Sequence, residues 1–222
     1  MNIFKYESRT HSQNGEDGIL QKIISDLKPE SKKSMEFGAH PNECNTRILQ
    51  GLGFKTIMLD ARPNDHNIHK EFITEHNINK IIEKYNCQDI STLSIDIDGQ
   101  DFFVWRQINS ASPLIVIIEY NCRIPSSYNL VMKRDPNYKW PNNEWPKDYS
   151  CGVRGLYELG KRKGYSLVGS TSQGVNLFFV RNDFVKKISK DIRCEINRPD
   201  LVYQLNDFKR ELYEPCETYL NI

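Results

Sequence analysis

The spacing of apolar positions along the chain changes several times. Ile19, Leu20, Ile23, Ile24 and Leu27 recur at helical spacing, which predicts a helix over 18–27, ended by Pro29. Short apolar runs come next. Residues 34–37 read as a strand running into Gly38, and 55–60 as a second strand ending on Asp60. Two more runs end in acidic or polar residues. One reads Leu93-Ser-Ile-Asp96-Ile-Asp98-Gly99, the other Leu-Ile-Val-Ile-Ile-Glu119-Tyr-Asn121 after Pro113. Between the strands, 45–52 is predicted as a helix closed by Gly53, and 101–108 as a helix. Residues 64–84 read as mostly helical, with a break and a short strand near 71–75. Residues 151–163 read as a helix stopped by Gly164, and 165–168 with 175–180 as a closing hairpin. A polar stretch rich in Pro, Asn and Trp, about 123–150, reads as an insertion or lid. The charged tail from Asp183 reads as helical.

Strands alternating with helices predict an α/β fold, a mostly parallel sheet covered on both faces, with the hairpin adding an antiparallel strand. No linker or repeat divides the chain, so residues 1–222 are read as one domain. In such sheets ligands bind beyond the carboxyl ends of the strands. Glu36 with Gly38, Asp60, Asp96 with Asp98, and Glu119 with Asn121 would all lie along that edge.

Composition narrows the classes. Charged residues make up 27% of the 222 and hydrophobic ones 38%, an ordinary globular profile. The net charge of +1 gives no whole-chain case for a nucleic acid polymer or an anionic membrane. No apolar run approaches the roughly 20 residues of a membrane span. The first residues carry no apolar signal core, so a cytoplasmic protein is expected. The six cysteines are scattered without a CxxC pair, which argues against zinc and for free thiols.

The candidate chemistry is carboxylate chemistry. Residues two apart in a strand share a face, so Asp96 and Asp98 are predicted to point together, and likewise Glu119 and Asn121. If the two strands are parallel neighbours, four oxygen-bearing side chains meet. Burial of carboxylates demands a cation, a donor-rich ligand or a proton. Oxygen ligands alone suit Mg²⁺, Mn²⁺ or Ca²⁺. Either these residues hold a metal or one acid serves as a general base. The structural alternative for Asp98 is an N-cap for the helix beginning at Asp101. Glu36-Phe-Gly38-Ala39 places glycine after a strand, where backbone can approach a ligand closely. Asp60 follows Glu36 by 24 residues, at the second strand tip, the usual place for an acid that binds ribose hydroxyls. Its alternative is a helix cap. Tyr120, Trp105, Phe178 and Phe179 are predicted as core, and His40 as a solvent-facing loop residue. The aromatic segment 138–149 is either a ring-stacking surface or a lid.

These motifs, in this order, resemble the FkbM-like S-adenosylmethionine-dependent methyltransferases. The likeness runs from Ser12-Gln13-Asn14-Gly15-Glu16-Asp17-Gly18 through Glu36-Phe-Gly-Ala and Asn45-Thr46. It continues through Ser94-Ile-Asp-Ile-Asp-Gly99 with Asp101, Glu119-Tyr-Asn121, Gly164-Tyr165 and Asn176-x-Phe-Phe-Val-Arg181. It covers roughly residues 11–182. His40-Pro-Asn42 stands where a second glycine often appears in that family. The resemblance implies a Rossmann-like, seven-stranded sheet binding S-adenosylmethionine over its first half. Glu36, Gly38 and Ala39 would lie against the methionine part and Asp60 on the ribose, with Gln13, Asn45 and Asp96 in the same cofactor set. It implies methylation of a hydroxyl on a sugar or a sugar-containing acceptor such as a sugar nucleotide, in polysaccharide or glycosylated-metabolite biosynthesis. It leaves a homo-oligomer open.

A looser likeness, to metal-dependent O-methyltransferases of the catechol and macrolide-sugar types, implies Mg²⁺ or Mn²⁺ on Asp96, Asp98, Glu119 and Asn121. Under it, Asp98 is the candidate general base or a ligand, and Glu119 and Asn121 act beside it. Two other classes compete. Asp96-Ile-Asp98 is also the DxD pattern of metal-dependent glycosyltransferases, and a non-catalytic ligand-binding domain could share the fold.

Overall fold

The computed structural model describes residues 3–135, 138, 148–193, 196–205 and 219–222. Its helices are α1 (Glu16–Leu27), α2 (Ile78–Lys84), α3 (Asp101–Gln107), α4 (Val153–Arg162), α5 (Lys190–Arg193) and α6 (Pro199–Leu205). Its strands are β1 (Lys33–Phe37), β2 (Lys55–Asp60), β3 (Ile68–Lys70), β4 (Thr92–Ile95), β5 (Ile115–Glu119), β6 (Leu130–Met132), β7 (Tyr165–Ser170), β8 (Asn176–Arg181) and β9 (Tyr219–Asn221). Seven strands form one sheet in the order β3-β2-β1-β4-β5-β8-β7, and β6 pairs with β9 in a separate ribbon. β3, β2, β1, β4 and β5 run parallel, whereas β8 runs antiparallel to both β5 and β7. This is the expected α/β, Rossmann-like arrangement with its closing hairpin.

Both faces of the sheet are covered. On one, Phe37, Leu59, Leu93, Ile118 and Phe179 pack with Ile82 of α2, Phe102 and Trp105 of α3, and Leu156 of α4. On the other, Ile115, Ile117, Phe178 and Val180 pack with Ile19, Leu20 and Ile23 of α1. Trp105 lies 4.9 Å from the Phe179 ring centroid, and Trp105, Tyr120, Phe178 and Phe179 are buried as expected. Each such side chain contributes roughly 1.5–3 kcal/mol by burial. Cys44, Cys87, Cys122 and Cys151 are buried free thiols. Among the described residues no helix is long and apolar enough to cross a membrane.

Two local expectations are corrected. Residues 64–77 are not helical. Asp65 folds a turn by accepting from the backbone and side-chain amides of Asn67, and β3 then pairs with Met58–Asp60 at the sheet edge. Asn77 ties down the next loop, accepting from Thr74 N–H and donating to the Phe72 carbonyl, so α2 begins only at Ile78. The helix expected over 45–52 is a short 3₁₀ turn, Arg47–Leu52. The backbone at Asn45 and Thr46 is held by Glu36, and Gly51 and Gly53 disfavour any longer helix. The stretch 123–150, expected as an insertion or lid, contains β6, which pairs with β9. Trp140 and Trp145 lie outside the described residues. In the tail, α5 and α6 are short helices joined to a 3₁₀ turn at Val185–Lys187.

The chain crosses from β1 to β2 on one side and returns to β4 on the other. The sheet therefore has its switch point between β1 and β4, where parallel α/β sheets open a crevice. Asp96 N–H donates to the Phe37 carbonyl there, at 3.1 Å.

Candidate functional site

A cavity of about 970 Å³ opens at this switch point, at the upper end of the range for small-molecule sites. Gln13, Gly38, Asn45, Asp60, Asp96, Asp98 and Glu119 all line it. Glu36, Ala39 and Asn121, also singled out from sequence, do not line it.

The reasons are local. Gly38 has φ +76°, and a Cβ there would stand 1.5 Å from the Asp96 carbonyl oxygen, so only glycine fits where the two strand tips touch. Glu36 is buried at the end of β1, but its carboxylate is fully used. It accepts from Asn45 N–H at 2.7 Å, Thr46 N–H at 2.8 Å and Thr46 Oγ1 at 2.5 Å. Burial raises its pKa, and the Thr46 and Asn45 donors oppose that rise. Glu36 therefore holds the loop that places Asn45, whose own Nδ2 donates to Ser94 Oγ. Ala39 is buried under the turn. Gln13 is positioned by the segment before α1. There Asp17 Oδ2 accepts from the N–H groups of Thr10, His11 and Ser12, and Ser12 Oγ accepts from Asp17 N–H. His40 is exposed at the cavity rim.

Asp60 caps no helix. Its Oδ1 accepts from Arg62 N–H at 2.6 Å, and the residue lines the cavity. Phe72 stands nearby on the cavity wall, 64% exposed, on the loop that follows the Glu71 N–H to Asp60 carbonyl bond.

On the other half of the edge, carboxylate oxygens of Asp96, Asp98 and Glu119 all lie within 4.8 Å of one another. The acids meet by a different route from strand alternation. β4 stops at Ile95. Asp98 then takes φ +59°, a left-handed conformation costly for a non-glycine residue, and Gly99 takes φ +118°. Asp101 stabilises this turn from below: its Oδ1 accepts from Ile97 N–H and its Oδ2 from Gly99 N–H, both at 2.9 Å. Asp98 makes no helix cap; Gln100 occupies that position.

Burial raises the Glu119 carboxyl well above its ordinary range, and Asp96, Asp101 and Asp98 add to it by repulsion. Asp96 is raised in the same way, first by desolvation and then by Asp101 and Asp98. Asp98 keeps solvent access at the cavity mouth. The surrounding walls still raise its pKa, Asp60 adds to the shift and Arg62 opposes it. Glu119 is 3% exposed, and its Oε2 has no hydrogen-bond partner among the described residues. Three acids with an unpartnered buried oxygen form a set that a hard divalent cation would satisfy. Asn121 is employed elsewhere: its Nδ2 donates to Tyr219 Oη at 3.0 Å and its Oδ1 accepts from Arg123 N–H at 3.0 Å.

Sequence reasoning missed two residues of this wall and one beneath it. Asn176 and Gln100 line the cavity, and each has a buried polar atom without a partner, Oδ1 and Nε2 respectively. Asp101 builds the turn beneath the acids. The available signal for Asn176 was a polar residue opening an otherwise apolar strand. Tyr138, from the aromatic segment, reaches the cavity and packs beside Gly99.

No family model matches the chain, and a search of curated proteins finds no match.

Proposed function

We propose that this protein is an S-adenosylmethionine-dependent O-methyltransferase of the FkbM-like kind, assisted by a divalent cation and acting on a hydroxyl of a sugar-containing acceptor. The observation that carries the reading is one cavity at the switch point lined by two chemically distinct sets of residues. One set is a glycine-only turn at Gly38 with an acid at the tip of the next strand, Asp60. The other is the acid cluster with the unpartnered Glu119 oxygen.

S-adenosylmethionine, when bound, supplies the methyl group. Gly38 lets the backbone come close to it, Asp60 accepts from the ribose hydroxyls, and Gln13 and Asn45 flank it. A divalent cation, when bound, lowers the pKa of an acceptor hydroxyl. Asp96, Asp98 and Glu119 would hold it. Asp98, the most open of the three, would instead take the hydroxyl proton where it is not itself a ligand. Phe72 and Tyr138 offer aromatic faces to a ring-shaped ligand. Fixing both partners in one cavity supplies orientation, which accounts for much of the rate in such transfers.

The test is formation of S-adenosylhomocysteine from S-adenosylmethionine with a panel of sugar nucleotides, with Mn²⁺ or with chelator. Cation-dependent product formation is expected. Release of a nucleoside diphosphate from a sugar nucleotide, with no methyl transfer, would move the protein to the glycosyltransferase class.

A further inference from the structure

The cation set does not end with the three acids. We infer that Asn176 is a fourth protein ligand, contributing its amide oxygen to a hard divalent cation held by Asp96, Asp98 and Glu119; this rests on the cation reading above.

Position comes first. Asn176 on β8 pairs directly with Glu119 on β5 in antiparallel register. Directly opposed residues of an antiparallel pair project to the same face, with Cβ atoms about 4.5–5.5 Å apart. Asp96 follows β4 on the other flank of β5. Glu119 therefore stands between Asp96 and Asn176 across three adjacent strands, and all three line the same cavity.

Orientation follows from chemistry. Asn176 is 2% exposed, and its Nδ2 donates to Glu16 Oε1 at 3.0 Å. Glu16 accepts at both of its oxygens, Oε1 also taking Asn14 Nδ2 at 3.4 Å, so the amide is held with its nitrogen towards Glu16. Glu16 is itself fixed, its Oε2 accepting from Asn14 N–H at 2.8 Å. The remaining atom, Asn176 Oδ1, is buried without a partner among the described residues, as is Glu119 Oε2 beside it. Leaving a buried oxygen unsatisfied is costly, and two such oxygens on residues that are opposed across β5 and β8 and line one cavity point to one shared ligand. Charge decides its kind. Three acids already exceed the charge of a divalent cation, and a further carboxylate would add repulsion. A neutral amide oxygen raises the coordination number without that penalty, as such oxygens do at Ca²⁺ sites.

The experiment measures Mn²⁺ affinity by titration calorimetry, with free Mn²⁺ followed by electron paramagnetic resonance, on the full chain. The variants are Asn176→Ala, Asp96→Asn, and the double exchange Glu16→Gln with Asn176→Asp. The double exchange reverses the buried hydrogen bond: the introduced amide donates to the introduced carboxylate, which keeps an oxygen facing the site. Asn176→Ala should weaken Mn²⁺ binding at least about tenfold, a scale on which even lost support of a ligand shows. The double exchange keeps an oxygen on the site and should bind Mn²⁺ more tightly than Asn176→Ala; affinity no better than that of Asn176→Ala would contradict the assignment. Unchanged Mn²⁺ affinity in Asn176→Ala, with Asp96→Asn abolishing it, would remove Asn176 from the set and leave the acid cluster standing. Weaker S-adenosylhomocysteine binding with unchanged Mn²⁺ affinity would overturn the inference too, assigning the oxygen to the cofactor. No Mn²⁺ binding by the wild type would sink the cation reading itself. Should Asn176→Ala fail to fold, Asn176→Ser, which withdraws the amide oxygen, decides: weaker Mn²⁺ binding supports the assignment and unchanged Mn²⁺ affinity contradicts it.

Discussion

Glu36 and Glu119 are the same residue in nearly the same setting. Each lies within the last two residues of its strand, each is almost fully buried at 2% and 3% exposure, and burial raises the pKa of both. Their neighbours differ. Glu36 meets three donors and one distant guanidinium, and no acid counts among the main causes of its shift. Glu119 meets Asp96, Asp101 and Asp98, and keeps an oxygen unpartnered. A buried carboxylate whose partners are all protein donors is part of the scaffold. One that is surrounded by acids and left unsatisfied is where we propose a ligand from outside the chain.

Substitution should separate the two most sharply. Glu36→Ala leaves two backbone N–H groups and a hydroxyl without their acceptor. At about 1 kcal/mol or more each, the loss should reach ~3 kcal/mol in chemical denaturation. Wild-type stability in that variant would show that Glu36 is not structural. Glu119→Gln should do the opposite. Stability stays level or rises, because an uncompensated charge is removed, while Mn²⁺ affinity falls roughly 100-fold, about 2.7 kcal/mol. A stability loss like that of Glu36→Ala, with Mn²⁺ binding intact, would erase the distinction.

That distinction was only partly legible in the sequence. Apolar runs located β1, β2, β4 and β5 because buried parallel strands leave a dense hydrophobic signature, and their polar ends marked the right edge. Which way an acid at a strand end is used depends on residues far along the chain. Glu36 is claimed by Asn45 and Thr46, and nothing in the Glu-Phe-Gly-Ala pattern says so. Asp96 and Asp98 do converge, but through a left-handed turn held by Asp101, not through strand alternation. Asn121 shares the polar end of β5 with Glu119, yet β9, about a hundred residues further on, brings Tyr219 to take its amide. Asn176 became visible only through the β5–β8 register. Residues 64–77 misled because local composition favoured a helix while pairing with β2 drew 68–70 onto the sheet edge.

The acid-rich side should also announce itself through pH. Burial pushes Asp101 up to about 6 and raises Asp96 and Glu119 well above the ordinary range. With folded-state values above unfolded ones, the folded protein holds more protons. Stability is then fully present below the ordinary carboxylate range, near pH 4, and declines as pH rises through the raised values. In the cation-free protein, unfolding free energy should fall between pH 5 and pH 8, and saturating Mn²⁺ should offset most of the fall. Urea denaturation at both pH values, with and without Mn²⁺, checks this. A rise with pH would contradict it.

The smallest effect belongs to the other half of the edge. Asp60→Ala should weaken S-adenosylhomocysteine binding about tenfold, the scale of one charged hydrogen bond, and leave Mn²⁺ affinity and the unfolding midpoint unchanged. An unaltered nucleoside affinity would take Asp60 out of the site.

The central claim is that both halves serve one bound pair, a sulfonium nucleoside and a divalent cation. Titration calorimetry of the wild-type protein with S-adenosylhomocysteine, with and without Mn²⁺, tests it most directly. Binding in the micromolar range, with a separate Mn²⁺ site in the same molecule, is the predicted result. No heat with S-adenosylhomocysteine, and Mn²⁺-dependent binding of a nucleoside diphosphate instead, would contradict it.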